Sequence, residues 1–312
     1  MLLLWKLLRF DIIINAMHGE NNLSPCMLIL NSSISNIKNQ MKNLVFISAV
    51  FLSNCSYAQF VGLKYKNIEP ANIVVTYSLQ YQQDSTDPSN IRSSTFYLFM
   101  GNTISKYVNC ANYSRDTATR RFTTNKQVID YMTNPQIPKA GILYQIFKNY
   151  PKGKLTFTDH IPSDTFKFEE NLDIFHWNLT DDTAINCGYK TQKATCYFGG
   201  RSWSAWFSPD LPYNDGPYKF NGLPGLIVKV YDNRNHYVFN LLSINKPETG
   251  VMIDIQDQEY IETTKQGFFR AEDSFREDIV NRAKEVSSDN DFIQTLAKNA
   301  AQRNNPIELL RK

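Results

Sequence analysis

The feature that most constrains this chain is a series of short segments in which apolar and polar residues alternate, each bounded by glycine, proline or asparagine. Ile73 to Gln83 reads IVVTYSLQYQQ, with Val75, Tyr77, Leu79 and Tyr81 at every second position, the period of a half-buried strand. Thr95 to Met100 and Ile104 to Val108 flank Gly101-Asn102, and Ile142 to Asn149 and Leu155 to Thr158 flank Pro151-Lys152-Gly153, with Thr165 to Phe168 following. Lys193 to Phe198 and Ser202 to Phe207 are joined through Gly199-Gly200, a link that suits a primed hairpin turn. Leu226 to Tyr231 and His236 to Leu242 form a further pair around Asp232-Asn233. Between these, Arg115 to Thr133 is polar, with a short helix predicted near Val128 to Met132. From about residue 269 to 302 charges recur at helical spacing, and Ser287 to Asp291 divides the stretch into two short helices. The pattern predicts a mainly β (α+β) protein, a curved antiparallel sheet packed on a C-terminal helical tail.

The N-terminal part carries a different message. Met41-Lys42, the apolar run Leu44 to Leu52, and the small residues Ser56 and Ala58 have the layout of a secretory signal with cleavage before Gln59. Leu52-Ser53-Asn54-Cys55 offers a second exit, the outline of a lipoprotein box that would place a lipid on Cys55. A complete signal belongs at the start of a chain, so residues 1–40 read as upstream sequence ahead of Met41; the alternative is a membrane-anchoring extension. On this reading residues 41–58 are the signal and residues 59–312 a single domain in the periplasm or cell envelope, or secreted, with no further membrane span.

The whole chain has a formal net charge of +3, which argues against a nucleic-acid binder. Beyond Ala58 the cysteines are Cys110, Cys187 and Cys196. An oxidising compartment permits one bridge, and a hairpin around Gly188 could bring Cys187 and Cys196 together, leaving Cys110 buried and free. No CxxC occurs and the histidines are scattered, so neither a metal nor another cofactor is implied. Enzyme signals are poor: GxSxG and HExxH are absent, and the adjacent pairs Asp181-Asp182 and Glu169-Glu170 would point to opposite faces of a strand, as solvated charges.

Chemistry concentrates between Gly200 and Asp232. Trp203 and Trp206, three apart, fall on opposite faces of a regular strand, so at least one needs a groove, loop or bulge to cover it. Pro209, Pro212 and Pro217 prevent ladder pairing, so Ser208 to Tyr218 should cross one end of the sheet as a loop. Gly222, Leu223, Pro224, Gly225, Leu226 and Ile227 then form the corner where this loop re-enters the sheet, the glycines supplying a tight turn and a bulge. Trp203, Trp206, Tyr213, Tyr218 and Phe220 form either part of the core or a candidate aromatic groove for a lipid, a peptide or an outer-membrane protein partner, and Arg201 among them either stacks or forms a structural ion pair or holds a ligand carboxylate or phosphate.

The sequence resembles the GLPGLI family, found chiefly in Bacteroidetes and named for the run Gly222 to Ile227. The resemblance extends over Tyr77-Leu79-Tyr81, Trp177-Asn178-Leu179, Gly188-Tyr189, Lys193-Ala194, Gly200-Arg201, Trp203, Ala205-Trp206, Gly216-Pro217, Phe220 and Asn305-Pro306-Ile307-Glu308. Relatives carry a cysteine soon after the Gly-Tyr pair, where this chain has Thr191. The resemblance implies export and a Gram-negative envelope setting, and no particular reaction. In order of elements the chain also looks like the periplasmic lipoprotein carriers, whose curved sheet holds acyl chains against helices. The expected role is non-catalytic binding in the aromatic groove; the alternatives are a structural partner in an outer-membrane complex and, third, an unrecognised hydrolase.

Overall fold

The computed structural model describes residues 64–138, 141–162 and 164–310. The expected signal, the extension before it and Cys55 lie outside the described residues. The chain runs through β1 (Tyr65–Pro70), β2 (Ile73–Gln82), β3 (Ile91–Met100) and β4 (Ser105–Asn109), then α1 (Cys110–Thr119) and α2 (Asn125–Thr133). It continues through β5 (Gln145–Lys148), β6 (Lys154–Ile161), β7 (Asp164–Asn171), β8 (Asn178–Asn186), β9 (Tyr189–Phe198) and β10 (Arg201–Ser208). After a long loop come β11 (Leu226–Asp232), β12 (Tyr237–Asn245), β13 (Met252–Gln256), β14 (Ile261–Glu262), α3 (Lys265–Val286) and α4 (Asn290–Ala301). The architecture is mainly β, as the alternation predicts, with C-terminal helices.

Among the described residues twelve strands form one sheet in the order β14-β7-β6-β5-β4-β3-β2-β12-β11-β10-β9-β8, antiparallel throughout except for the short parallel pairing of β14 with β7. The sheet curls around one face. Tyr77 on β2 donates its hydroxyl proton to the Ile227 carbonyl of β11, two strands away, at 2.7 Å. In a flat sheet that separation would be about 10 Å, beyond a tyrosine side chain. The concave face carries Val75, Tyr77, Leu79, Phe96, Leu98, Tyr107, Ile146, Phe157, Trp203 and Phe239, all buried in one cluster. The convex face is covered near β3 and β4, where β1 and β13 pair as a separate ribbon and Phe99, Val108 and Ile253 form a second cluster against Tyr113 of α1. With both faces covered, β4 is buried at all five residues, which polar Ser105 and Lys106 conceal in the sequence.

The turns follow local chemistry. Gly199 and Gly200 have φ of 61° and 86°, the left-handed values a two-residue primed hairpin requires. Thr124 caps α2 with Gln127 in a reciprocal capping box. The helical tail breaks between Val286 and Asn290, within the predicted Ser287–Asp291 stretch, and Asp289 caps the second helix.

The run from Gly222 to Ile227 is the corner the sequence predicts. Gly222 turns with φ of 88° and open space around it, Leu223 is buried, and Leu226 opens β11. Gly225 answers a tighter demand, because a Cβ there would sit 2.2 Å from the Ser208 carbonyl oxygen. Gly225→Ala should therefore destabilise the fold by about 3 kcal/mol or more, while Gly222→Ala costs about 1–2 kcal/mol for its left-handed backbone. Urea unfolding of the two variants checks the order; equal losses would refute it.

Candidate ligand-binding cavity

The loop after β10 turns inward instead of only skirting the sheet end. Gly216, Pro217, Tyr218, Lys219 and Phe220 are buried, and Phe220 plugs the concave face, its ring 4.8 Å from that of Trp203 and 5.1 Å from that of Phe175. Charged anchors hold the loop there. Lys148 on β5 pairs with Asp215 and donates to the carbonyls of Gly216 and Phe220, the latter two at 2.6 and 2.9 Å. Lys219 pairs with Glu170 of β7 and with Glu308 of the C-terminal segment, the latter at 2.6 Å. Lys265 at the start of α3 bridges the same two carboxylates, and the Tyr218 hydroxyl donates to Glu308 at 2.7 Å.

The C-terminal segment is pinned a second time by Arg201. Its guanidinium pairs with buried Asp232 at 2.9 Å and donates to the Asn305 side chain and to the carbonyls of Pro306 and Ile307. Arg201 is thus engaged in a structural ion pair and over the Tyr237 ring, the structural one of its two expected roles, and not in the candidate role of holding a ligand carboxylate or phosphate. Glu170, expected as a solvated loop charge, is likewise an inward partner of two lysines.

The aromatic residues singled out in the sequence separate. Trp203, Tyr218 and Phe220 are core, Trp203 donating its indole N–H to the Phe198 carbonyl at 3.1 Å. Trp206 is half-buried on the opposite face, next to a register shift at Phe207 and with the Lys193 ammonium 5.9 Å from its ring. Tyr213 is half-buried at the edge of the same loop. Leu223, Gly225, Leu226 and Ile227 are buried and exposed Gly222 and Pro224 form the turn, so the motif is scaffold. The five aromatics do not line one open groove, because the inward fold of the loop places three of them inside. The expected Cys187–Cys196 bridge is not formed, and all three described cysteines are free. Cys187 is in the turn of the β8–β9 hairpin, whereas Cys196 lies seven residues beyond Tyr189 along β9, roughly 23 Å at strand rise and far beyond disulfide reach. Burial pushes the Cys196 thiol up to about 12.

The open space lies elsewhere. Between β6, α3, α4 and the C-terminal segment is a cavity of about 310 Å³. Leu79, Tyr144, Phe157, Phe268, Phe269 and Phe275 supply apolar wall, and Tyr218 is the one sequence-selected residue that reaches it. Its polar groups include Gln83 beyond β2, Asp159 and His160 on β6, Glu272 and Arg276 on α3, Arg303 beyond α4, and Asn305 and Glu308. Arg276 pairs with Glu272 at 3.4 Å and with Asp273 at 3.3 Å. Burial pushes the Asp159 carboxyl up to about 8, against the pull of the His160 N–H, which donates to it at 2.7 Å, and with help from the Glu272 charge. Asp159 had a signal in the sequence, since Leu155, Phe157, Asp159 and Ile161 occupy alternate positions and place a carboxyl on the apolar face of β6. Phe268, Phe275 and Ile279 recur at one- and two-turn spacing in α3 for the same reason. Among the described residues no group of three or more His, Cys, Asp and Glu is arranged to hold a metal ion, and no helix is long and apolar enough to cross a membrane.

A family described as "Protein of unknown function (Porph_ging)" matches residues 193–229. That stretch contains most of the β9–β10 hairpin, the inward loop and Gly222 to Ile227, one part of the residues on which the sequence resemblance rests. Two solved structures of PNGF-II are similar at low level. The P21 form shares 14% identity over 64% of this chain and 32% of that chain, with a TM-score of 0.43. The C2 form shares 15% identity over 63% of this chain and 31% of that chain, with a TM-score of 0.42. The chain thus spans about a third of the length of these structures. No curated protein matches the sequence.

The Lys219–Glu308 contact gives a pH prediction. Burial by itself would raise the Glu308 carboxyl, but the Lys219 and Lys265 ammonium groups overcome it and hold the value at about 2, below the ordinary 4.5. A carboxyl depressed on folding contributes stability that is complete above about pH 4.5 and is lost as pH falls toward about 2. Glu308→Ala should cost about 3 kcal/mol at neutral pH, because it leaves two buried ammonium groups with Glu170 alone. Unfolding free energies measured across this acid range should converge for the two proteins; a constant gap would contradict the assignment.

Proposed function

We propose that this chain is a non-catalytic binding protein of the cell envelope that takes an apolar or amphipathic small molecule into the cavity between the sheet and the C-terminal helices. The observation that carries the reading is the cavity itself, about 310 Å³, lined by Phe157, Phe268, Phe269 and Phe275 and by charged groups including Asp159, Glu272, Arg276 and Arg303. Small-molecule sites are of this kind, mostly apolar clefts of roughly 300–1,000 Å³ with sparse polar fixing points. The volume suits one slender ligand and is small for the several acyl chains of a lipoprotein. The order of elements shared with lipoprotein carriers supports the binding mode and not that cargo.

The fluorescent hydrocarbon-like probe N-phenyl-1-naphthylamine tests the reading directly. It should brighten on saturable binding to the purified protein. Ile142→Trp, which fills the cavity from a partly buried wall position, should weaken that binding about tenfold or more without changing the melting temperature. Equal binding by the two proteins would refute the assignment of the cavity.

A second reading, a structural partner in an envelope assembly, has one observation in its favour. β8 ends the sheet order, and its Leu179 and Ile185 are 49% and 67% exposed, features an added strand or partner surface could cover. Mass spectrometry of protein purified from its native host separates the two, since co-purifying lipid supports the cavity and a stoichiometric membrane protein supports the edge. Both readings place the protein outside the cytoplasm after processing. N-terminal sequencing of the native product should give Gln59; a lipidated Cys55 would mean membrane attachment, and an intact Met1 would sink the export proposal.

A further inference from the structure

The carboxyl of Asp159 is an unusual wall for an apolar cavity. It sits on the concave face of β6 between Phe157 and Ile161, with its strand neighbour across the ladder being Phe166. One oxygen accepts the backbone N–H of His160. Among the described residues Asp159 takes part in no ion pair, although Arg276 and Arg303 line the same cavity. Arg276 is engaged with Glu272 and Asp273, and the Glu272 charge acts to raise the Asp159 carboxyl. Partial burial between Phe157 and Ile161, with Glu272 as a neighbouring carboxylate, disfavours a second negative charge, so the group is set up as a carboxylic acid, a donor with its proton in place.

We propose that the cavity selects an uncharged, single-chain amphiphile whose head accepts a hydrogen bond from the carboxyl of Asp159. The inference rests on the binding reading above and names its ligand class. The chain of such a ligand lies along Phe157, Phe268, Phe269 and Phe275, and the volume admits one chain. Its head oxygen, an ester carbonyl or a hydroxyl, replaces water at the acid. An anionic head could accept from the same acid and meets Arg276 and Arg303 as well as Glu272, so laurate displacing the probe more tightly than monolaurin at pH 7 would overturn the choice of an uncharged head; a cationic head would favour the ionised carboxylate and reverse the pH dependence. The value of about 8 for this carboxyl places the change within reach of experiment. The groups that share the cavity and titrate or carry charge are His160, Tyr81, Tyr144, Tyr218, Tyr237, Glu272, Arg276, Arg303 and Glu308, so an Asp159 variant is the necessary control.

The test is displacement of N-phenyl-1-naphthylamine by monolaurin, an uncharged single-chain ester, on the full chain. Wild-type affinity for monolaurin should fall about tenfold between about pH 7 and pH 9, as the protonated fraction of a group titrating near 8 falls by that factor. Asp159→Asn, which keeps an N–H donor, should bind monolaurin with a flat profile over the same range. Asp159→Ala should bind it about tenfold more weakly at pH 7, again with a flat profile. The hydrocarbon-like probe should bind all three proteins alike at both pH values. A flat wild-type profile, or wild-type affinity in Asp159→Ala, overturns the head-group assignment and leaves the cavity intact. An affinity for monolaurin that rises above pH 8 also overturns it. Failure of the probe to bind wild-type protein overturns both inferences. Should Asp159→Ala fail to fold, the wild-type and Asp159→Asn profiles decide between the same outcomes.

Discussion

Four charged side chains from four parts of the chain meet inside this protein, and the rest of the structure is arranged around that meeting. Lys219 comes from the loop after β10, Glu308 from the C-terminal segment, Glu170 from β7 and Lys265 from α3. A buried set of this kind adds little net stability, since desolvation offsets most of the attraction. Its effect lies in specificity. Lys219 has one place where its ammonium can be neutralised, so the loop must enter the concave face, and Glu308 must lie beside it. Arg201 repeats the arrangement a few ångströms on, tying Asp232 at the end of β11 to the backbone of Pro306 and Ile307.

This explains why an aromatic-rich loop makes no open groove. With Lys148 and Lys219 drawn to their partners, Tyr218 and Phe220 are carried into the concave face and fill it. The loop then fills one part of the concave face and the C-terminal segment straps it, while β6 and α3 meet through Phe157 and Phe268 and leave space beside that contact. The cavity is the space left between them. Asp159 survives on its wall because the alternation of β6 points it there and no cation among the described residues pairs with it.

Much of the local structure was legible in the residues. The hairpin through Gly199-Gly200, the pair around Asp232-Asn233 and the split of the helical tail near Ser287 depend on neighbours within a few positions, and the corner at Gly222 to Ile227 showed its glycines and proline although the Ser208 carbonyl is what demands Gly225. The groove was not legible. Trp203, Tyr218 and Phe220 look alike in sequence whether they line a surface or fill a core, and burial is decided by segments far away. The Cys187–Cys196 pairing failed for a similar reason: nine positions suggested nearness, but the hairpin turns at Cys187 itself and carries Cys196 away along β9.

The sequence by itself determined the strongly alternating strands, their glycine turns and the helical tail, because period, glycine backbone freedom and capping act over a few residues, whereas β1, β8, β13, β14 and α1 lack a clean period and were not read from it. Only the tertiary structure decided which charges are buried and where the open volume lies. Lys219 finds Glu308 across 89 positions, and Arg201 finds Ile307 across 106. Those distances close only when the sheet curls, and curvature is a property of twelve strands together that no single segment encodes.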